Sequence, residues 1–387
     1  MKESTTTSRG PHHVLFLVDQ LCEMGGAERM LLNTIRLLPK SRYRCSLITF
    51  RIDPSLEFFH DFPCPYYLFP LRRTYDWNAM RMARKLRNYI RKEKVEIVHT
   101  FFETADLWGG LVSKISGGQV LISSRRDMGI LRSMKHTWGY RMMNPLFDLV
   151  LTVSEEVRRF CIQEDHLRPE KVLTLYNGLD LGSVANKNQA ESLRGSLGLL
   201  PSARLVVTVG HIRRVKGIDI LVEAAAIVAK ELPEAIFLVV GRNSEPHHVL
   251  ELEAKIAGLG IQRNVRFLGE TENALSILKS CDVFFLPSRS EGFSNALIEA
   301  MACGLPCVAT RVGGNAEAVE EGCSGYLVEN EDAGAAADRI QRLLRDPVSA
   351  REMGSVGRKI VESKFTDEIM IQQLVAQYER LLAARQN

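Results

Sequence analysis

The chain has 387 residues, a length that corresponds to two domains rather than one. With 45% hydrophobic and 25% charged residues, its composition is that of a globular protein with real cores. No segment approaches the roughly 18 consecutive apolar residues of a membrane span, which excludes a membrane-spanning helix. The polar start MKESTTTSRGPHH lacks the apolar stretch of a secretory signal, so we expect a cytoplasmic protein.

The net charge of +4 is unevenly distributed. Residues 1–180 contain 27 Lys and Arg against 20 Asp and Glu, whereas residues 181–387 contain 23 against 26. This asymmetry predicts that the first half meets an anionic partner. The eight cysteines are scattered and form no CxxC pair, so we expect free thiols in a reducing compartment rather than disulfides or a zinc site.

Short apolar, β-branched segments alternate with helix-length segments along the whole chain. The first series of predicted strands comprises residues 14–18, 45–50, 97–99, 120–123, 149–153 and 172–175, with a helix over 26–38 after the first strand. The second series comprises 205–209, 236–240, 265–267, 283–286, 307–310 and 325–328. Strands that read as continuous apolar runs are covered on both faces, which predicts parallel sheets with helices on both sides.

The predicted domain boundary lies near residues 176–183. Asn177-Gly178 is a turn signal that closes a strand, and the polar stretch NKNQAES follows it. We therefore predict an N-terminal domain over 1–180 and a C-terminal domain over 181–365. Both would be doubly wound, Rossmann-like parallel-sheet domains that face a central cleft, with ligands at the carboxyl ends of the strands.

The densest group of polar residues in the second half is the segment PSRSEGFSNALIEAMA, residues 287–302. It follows an apolar strand and opens a helix near Ser294 or Asn295, whose exposed N–H groups suit a phosphate. Glu291 and Glu299 stand in it with seven residues between them, and Glu299 could accept hydrogen bonds from both ribose hydroxyls. The alternative is that Glu291 is a helix-start acid and Glu299 a solvated helix residue.

Two further turns carry candidate binding residues. The turn after the strand at 205–209 reads GHIRRVKG, and its three cations within four residues could neutralise a diphosphate. The alternative is a solvated basic turn. After the first strand, Met24-Gly25-Gly26 contains two adjacent glycines that let the backbone approach a ligand closely, or that serve only helix–strand packing.

The stretch SRSEGFSNALIEAMACGLPCVATRVGGNAE closely resembles the signature of retaining glycosyltransferases of the GT-B fold, in the large family called GT4. Glu291 and Glu299 match its Glu-x7-Glu element, and the similarity continues through Gly313-Gly314, Glu317 and SGYLV. It spans nearly the whole chain and is strongest over 205–330. Such a long match is far more specific than a short glycine motif.

The resemblance implies a site for a nucleotide-diphosphate-sugar donor. Lys216 matches the family's phosphate-binding Lys, whereas His211 replaces its Arg, so either Arg213 or Arg214 would supply the second charge. Glu291 would contact the transferred sugar, and Glu299 the ribose. The other residues that it places at the donor are Gly25, Gly26, His211, Gly292, Phe293, Ser294 and Asn295.

The resemblance is looser on the acceptor side. VEIVHTFFETADLWG is similar to a family strand that reads His-x-His, but Phe101 replaces the later His, and His99 alone is typical of a satisfied strand-end residue. Arg126, after the next strand, matches an Arg in the family's cleft better than Arg125 does. We predict Arg126, His99 and Phe101 as acceptor or cleft residues.

The resemblance also implies the chemistry: retention of the anomer by front-face attack, with a UDP- or GDP-sugar as donor and no metal ion or other cofactor. No Asp-x-Asp loop that could hold a divalent ion is present. By the same resemblance, a C-terminal helix within 366–387 crosses back onto the N-terminal domain. No nucleic-acid partner is expected.

Residues 72–94 hold nine Lys and Arg against two acids. On a helix, the apolar side chains of Met82, Leu86, Tyr89 and Ile90 share one face, largely opposite Arg84, Arg87, Arg91 and Lys92. Such a helix is either a solvated surface element or an anchor to anionic lipid. The second interpretation predicts a membrane-associated enzyme at the inner membrane face that acts on a lipid-linked saccharide in polysaccharide biosynthesis.

Three other functions are compatible with these residues. The first is a transferase for a small soluble acceptor, and the second is another GT-B nucleotide-sugar enzyme such as an epimerase or hydrolase. The third is a non-catalytic nucleotide-sugar-binding protein, which the departures at His211 and Phe101 keep open.

Overall fold

A computed structural model describes residues 10–23, 25–53, 62–117, 119–129, 132–186 and 193–385. The first nine residues of the predicted leader, Met24 and most of the polar stretch at the predicted boundary lie outside the described residues. The chain divides into two compact units. One consists of Met1–Tyr176 with Glu368–Asn387, and the other of Asn177–Asp367.

The first unit is built on a seven-stranded parallel sheet in the order β3-β2-β1-β4-β5-β6-β7. Its strands are β1 (His12–Leu21), β2 (Tyr43–Ile52), β3 (Tyr66–Leu68), β4 (Ile97–Phe101), β5 (Val120–Arg125), β6 (Leu149–Thr152) and β7 (Val172–Thr174). Side chains from the middle of β1 and from β4, β5 and β6 are buried. Burial on both faces explains why these strands read as uninterrupted apolar runs.

Helices connect these strands. They are α1 (Gly26–Leu37), α2 (Trp77–Lys92), α3 (Gly110–Gly117), α4 (Met134–Met143) and α5 (Glu155–Gln163), and a π-helical turn, Ala105–Gly109, precedes α3. Local sequence sets their starts: the Asp76 carboxylate accepts the N–H of Ala79 at 2.7 Å to begin α2, and the Ser154 hydroxyl accepts the N–H of Val157 to begin α5.

The second unit contains a six-stranded parallel sheet in the order β10-β9-β8-β11-β12-β13. Its strands are β8 (Arg204–Val209), β9 (Ala235–Val240), β10 (Val265–Gly269), β11 (Val283–Leu286), β12 (Cys307–Thr310) and β13 (Gly325–Val328). The chain order reverses between β8 and β11, which are neighbours in the sheet. Ligands of open α/β sheets bind at such a reversal, outside the carboxyl ends of the strands.

Nine helices of the second unit fall within the described residues. They are α6 (Leu181–Asn186), α7 (Leu193–Ser196), α8 (Ile218–Glu231), α9 (Pro246–Leu259), α10 (Ala274–Lys279), α11 (Asn295–Ala302), α12 (Asn315–Ala318), α13 (Ala333–Arg345) and α14 (Pro347–Lys364). A core cluster of apolar side chains joins α8, α9 and α13 to the sheet.

The last helix, α15 (Asp367–Ala383), belongs from Glu368 onward to the first unit. Its apolar side chains, including Leu374 and Tyr378, are part of the core cluster of that unit. The first unit ends at Tyr176 rather than at Asp180, because the next residues hydrogen-bond within the second unit. The N–H of Leu179 donates to the carbonyl of Phe365 at 2.9 Å.

The predicted strands are confirmed, with β11, β12 and β13 at the predicted bounds and most others longer by one or more residues at one or both ends. Sequence patterning missed β3, whose three side chains are all exposed at the edge of the sheet. On the predicted apolar face of α2, Met82, Leu86 and Ile90 are buried and Tyr89 is half-buried, whereas the four predicted basic residues are exposed. No helix in the described part of the chain is long and apolar enough to cross a bilayer.

Candidate functional site

Lys216 lies in a tight turn at the carboxyl end of β8. Arg214–Lys216 forms one 3-10 turn, and α8 begins immediately after Gly217. Gly217 has a φ of +64°, and a Cβ on it would lie 2.0 Å from the carbonyl oxygen of Pro287. Only glycine therefore allows this turn to pack against the loop that follows β11.

The loop after β11 places an acid against that lysine. Lys216 Nζ donates to Glu291 Oε1 at 2.6 Å, and the hydroxyl of Ser288 donates to the same oxygen at 2.6 Å. Ser288 is completely buried, the Glu291 side chain is 9% exposed, and that of Lys216 is 30% exposed. The structure thus brings together the two residues on which the donor-site prediction depends most.

The other cations of the turn lie in different surroundings. The guanidinium of Arg214 donates to both carboxylate oxygens of Glu251 on α9, at 2.7 Å to Oε1, and its backbone N–H donates to Glu245. Its side chain is 64% exposed. Arg213 and His211 are half-buried in the same turn. Because the Arg214 side chain is mostly exposed and bound to α9, whereas that of Arg213 is half-buried in the turn, we take Arg213 as the candidate for the second phosphate-binding charge.

The segment after Glu291 leads into α11. Ser294 caps this helix by accepting the N–H of Leu297, and α11 begins at Asn295, within the predicted interval. Phe293 is buried, with its ring centroid 5.1 Å from that of Phe365. The neighbouring residue Gly292 is half-buried.

The loop that contains Gly313 and Gly314 holds this segment in place. The carbonyl of Gly292 accepts the N–H of Gly314 at 3.0 Å. Gly313 has a φ of +51°, and a Cβ there would lie 1.7 Å from the carbonyl oxygen of Glu291. Glu299, further along α11, is half-exposed. Gly313 is therefore required by a close approach of two loops.

In the first unit, Gly25 caps the N-terminus of α1, and Gly26 is the first helical residue. The carboxylate of Glu28 folds back over Gly25, so that a Cβ on this glycine would meet Glu28 Oε2 at 2.6 Å. Glu28 is buried, and burial raises the pKa of its carboxyl. The two glycines thus stand beside a buried carboxylate that sequence analysis did not single out.

His99 and Phe101 lie inside the first unit rather than on its surface. His99 is 1% exposed, and its ring nitrogens are 2.7 Å from the Tyr378 hydroxyl and 2.8 Å from the Ser124 hydroxyl. Burial lowers the pKa of His99 to about 3, with a smaller contribution from Arg126, so its ring is neutral. Phe101 is 3% exposed. Neither side chain offers accessible surface to an acceptor, which argues against these two predicted contacts.

The two neighbouring arginines differ. Arg125 is completely buried, donates to Asp165 at 2.7 Å and to Asn144 at 2.6 Å, and stacks on Tyr140, so it has a structural role. Arg126 is half-buried and lines a small cavity of about 20 Å³ beside His99 and Phe101, and burial lowers its pKa to about 10. Arg126 remains the acceptor-side candidate.

Among the described residues, no group of three or more His, Cys, Asp or Glu side chains could hold a metal ion. All eight cysteines are free thiols. Three residues that hold the Lys216 turn and the loop after β11 were not predicted from the sequence: Ser288, which donates to Glu291, and Asp219 and Arg289, which bind each other. Ser288 and Arg289 stand inside the matched motif, but nothing local shows that Ser288 donates to Glu291 or that Arg289 binds Asp219, 70 residues earlier in the chain.

Two family descriptions match successive halves of the chain. "Glycosyltransferase Family 4" matches residues 24–183, and "Glycosyl transferases group 1" matches residues 189–360. The N-acetyl-alpha-D-glucosaminyl L-malate synthase of Bacillus anthracis is 30% identical over 339 residues, which cover 86% of this chain and 84% of the relative. The UDP-Gal:alpha-D-GlcNAc-diphosphoundecaprenol alpha-1,3-galactosyltransferase of Escherichia coli is 25% identical over 335 residues, 84% of this chain and 86% of the relative.

The fold has solved counterparts. Anabaena Alr3699/HepE in complex with UDP superposes with a TM-score of 0.84 at 23% identity, over 95% of this chain and 100% of that one. The two parallel-sheet units and these matches define the class, a glycosyltransferase of the GT-B type. The chain belongs to the glycosyltransferase family that is described as Glycosyltransferase Family 4 over its first half and as Glycosyl transferases group 1 over its second half.

Proposed function

We propose that this chain is a retaining glycosyltransferase of the GT4 class. It transfers a sugar from a nucleotide diphosphate, UDP or GDP, to a saccharide acceptor without a metal ion. The second unit binds the donor and the first binds the acceptor. The observation that carries the donor assignment is the Lys216–Glu291 pair at the carboxyl ends of β8 and β11, the position where an open α/β sheet binds its ligand.

The chemistry requires charge stabilisation more than proton transfer. The bond between the anomeric carbon and the β-phosphate oxygen breaks, and its electron pair stays on the phosphate while the sugar gains oxocarbenium character. Lys216 and Arg213 neutralise the departing diphosphate, together with the N-terminal end of α11. The acceptor hydroxyl attacks from the same face, and its proton passes to the departing phosphate oxygen. Glu291 contacts the transferred sugar, and Glu299 contacts the ribose.

We infer that the acceptor is a lipid-linked saccharide in surface-polysaccharide biosynthesis, and that the protein is cytoplasmic and contacts the membrane peripherally. The Escherichia coli relative is named for transfer to a diphosphoundecaprenol-linked sugar. The apolar face of α2 is buried in the first unit, whereas Arg84, Arg87, Arg91 and Lys92 are exposed. Only the basic face is thus available to anionic lipid, so the contact is electrostatic and weakens with salt.

Product analysis tests the transfer. UDP-, GDP- and ADP-sugars are incubated in EDTA with a GlcNAc-diphosphoprenol and, separately, with L-malate, the small acceptor named in the Bacillus anthracis relative. We expect transfer to the lipid-linked sugar with the anomeric configuration of the donor, read from the NMR coupling at the new bond. Transfer only to malate would support the soluble-acceptor alternative. Release of free sugar alone, epimerised donor, or binding without turnover would each contradict a transferase.

Vesicle sedimentation tests the membrane contact. The protein is mixed with phosphatidylcholine vesicles with or without about one-third phosphatidylglycerol, and we expect binding only to the anionic vesicles at low salt. The variant Arg84→Glu/Arg87→Glu should lose this binding. The matched control Arg351→Glu/Lys359→Glu reverses two exposed charges on α14 of the second unit and should retain it. Equal binding by both double variants would contradict the role of α2.

A further inference from the structure

Arg289 stands two residues before Glu291, and all five of its guanidinium N–H donors are engaged. Nη1 and Nη2 donate to the two carboxylate oxygens of Asp219 at 2.8 and 2.7 Å. Nε and Nη2 donate to the two oxygens of Glu331 at 2.6 and 3.0 Å, and Nη1 also donates to the carbonyl of Arg214 at 2.6 Å. Two bidentate pairs and a bond to a backbone carbonyl fix the position of Arg289 far more firmly than an isolated surface ion pair would.

These contacts join the turn that carries Lys216 to the loop that carries Glu291. The backbone N–H of Arg289 donates to the carbonyl of Val215 at 2.8 Å, beside the carbonyl that its side chain holds. On the other side of Lys216, Gly217 packs against the carbonyl of Pro287. The residues before and after Lys216 are therefore both attached to the loop that follows β11.

The turn itself has little stability of its own. Arg214–Lys216 is a single 3-10 turn, and one helical turn forms unfavourably in isolation because few hydrogen bonds offset the ordering of its backbone. We call Arg289 and its two carboxylate partners, Asp219 and Glu331, the clamp. Its Glu331 end is also under constraint, since Glu331 has a φ of +64°, a conformation that residues other than glycine rarely adopt. Such a backbone persists where surrounding contacts fix it.

We propose that Arg289 is a positioning residue for sugar transfer: it fixes the turn of residues 213–217 so that Lys216 is held ready for the departing phosphate. This inference rests on the proposed function. The side chain of Arg289 holds the carbonyl of Arg214, two residues before Lys216, and the carboxylate of Asp219, three residues after it. Arg289 therefore acts through the segments on either side of Lys216. Its effect is therefore on the rate of turnover more than on donor affinity, since a misplaced charge stabilises the transition state poorly.

A double-mutant cycle with Lys216 tests the coupling. We expect Arg289→Ala to lower kcat by about 10- to 100-fold with a small change in KM. Arg289→Lys should recover little of the lost kcat, because an ammonium group cannot bind two carboxylates bidentately as the planar guanidinium does. In a Lys216→Met background, Arg289→Ala should cost nothing further. Full additivity of the two substitutions would overturn the proposal.

Two variants separate positioning from loss of fold. Arg345→Ala, which removes an exposed pair with Glu231 at the end of α13, is the matched control and should keep wild-type kcat. If Arg289→Ala does not fold, Asp219→Asn removes one arm of the clamp while keeping the size of the side chain, and replaces it in the cycle. Wild-type kcat in a folded Asp219→Asn variant would contradict the proposal.

Amide hydrogen exchange gives a readout that does not depend on activity. The N–H groups of Lys216 and Gly217 donate to Arg213 and Arg214 within the turn. In Arg289→Ala, peptides covering 210–220 should exchange faster, and those covering α14 should not. Unchanged exchange at the turn would overturn the proposal even if the enzyme transfers sugar. Faster exchange with no transfer by the wild type would support the clamp and contradict the proposed function alone.

Discussion

At the level of single residues, the pair of Lys216 and Glu291 has two interpretations. As a structural ion pair on a partly exposed site it would contribute only about 0–1 kcal/mol to stability, since solvent screens it. As a phosphate-binding group, Lys216 leaves Glu291 when the donor arrives and neutralises charge that develops only during the reaction. The two interpretations predict different losses of kcat when the ammonium group of Lys216 is removed.

Lys216→Met keeps the length of the side chain and removes its charge. We expect kcat at saturating donor to fall by about 10²–10³-fold, because the departing diphosphate loses a cation, while the thermal midpoint changes little. Lys230→Ala, an exposed lysine of α8, is the matched control and should keep wild-type kcat. A variant that retains more than about a tenth of wild-type kcat would assign Lys216 to structure.

Sequence could place Lys216 and Glu291 because both follow apolar strands and stand in matched motifs. It could not choose between Arg213 and Arg214, since the choice depends on Glu251 of α9, whose carboxylate binds Arg214. Nor could it find the role of Arg289, whose partners Asp219 and Glu331 are distant in sequence. Such pairings are set by tertiary packing, which leaves no local pattern.

The buried His99 supports a prediction about pH. Its pKa is lowered to about 3 in the folded protein, mainly by burial, against an ordinary value of 6.5. A base whose pKa is depressed by folding contributes stability above its unfolded pKa and loses it as pH falls. Between pH 7.5 and 5 the loss amounts to about 2 kcal/mol.

All three tryptophans, Trp77, Trp108 and Trp138, lie in the first unit, so their fluorescence during urea unfolding reports on the unit that contains His99. His99→Asn should be less stable than the wild type at pH 7.5, because the bonds to Tyr378 and Ser124 are weakened. The difference between them should shrink by about 2 kcal/mol at pH 5. Parallel pH profiles would show that His99 does not titrate as burial predicts.

At the level of elements, prediction found every strand that contains a buried residue, including the partly exposed β7 and β10, and missed only β3 among the described strands. β11 reads VFFL and is entirely buried, whereas β3 reads YYL and is entirely exposed. Three residues are too few to show either a strand-length apolar run or an alternation of polar and apolar residues. Its pairing with β2 is a tertiary event that a local pattern does not encode.

The packing of the turn before α8 predicts an unequal response to two alanine substitutions. Gly217 and Gly260 have similar φ values, +64° and +72°, so each Gly→Ala change incurs about 1–2 kcal/mol of backbone strain. Only at Gly217 would the new Cβ meet backbone, 2.0 Å from the carbonyl oxygen of Pro287; at Gly260 nothing lies within 4 Å. Gly217→Ala should therefore destabilise the second unit by about 2–5 kcal/mol in total.

Far-UV circular dichroism during thermal unfolding measures both variants. Gly260→Ala serves as the control for backbone strain alone and should keep wild-type kcat. Gly217→Ala should also lower kcat, because its Cβ pushes the turn that carries Lys216 away from the loop after β11. Equal stabilities of the two variants would contradict the close approach of these loops.

At the level of the whole molecule, the alternation of strands and helices predicts two doubly wound units, and the turn at Asn177-Gly178 predicts where one ends. What local pattern could not fix is the unit to which the last helix contributes its apolar side chains. Resemblance supplied that expectation, and α15 does share a core with the first unit. The first unit is consequently assembled from two segments that are separated by nearly 200 residues.

This arrangement makes the first unit incomplete without the end of the chain. Six apolar side chains of α15 are part of its core cluster: Met370, Leu374, Val375, Tyr378, Leu381 and Leu382. At about 1.5–3 kcal/mol for each buried side chain, their burial contributes about 10 kcal/mol or more. That is as large as the net stability of a typical domain, about 5–15 kcal/mol. We therefore expect a fragment of residues 1–176 to show no cooperative transition in tryptophan fluorescence.

Adding the missing helix should restore the fold. The carbonyl of Leu179 accepts the N–H of Asp367, so the chain leaves the first unit and returns to it at neighbouring points. A short flexible linker can therefore join Tyr176 directly to Glu368. The linked fragment should unfold cooperatively, and the same fragment with Leu374→Asp should not, since it buries an unpaired charge. A cooperative transition in residues 1–176 alone would mean that α15 only covers a core that is already sufficient. Because loop closure over a short linker has a small entropic cost, failure of the linked fragment would count equally against this division of the chain.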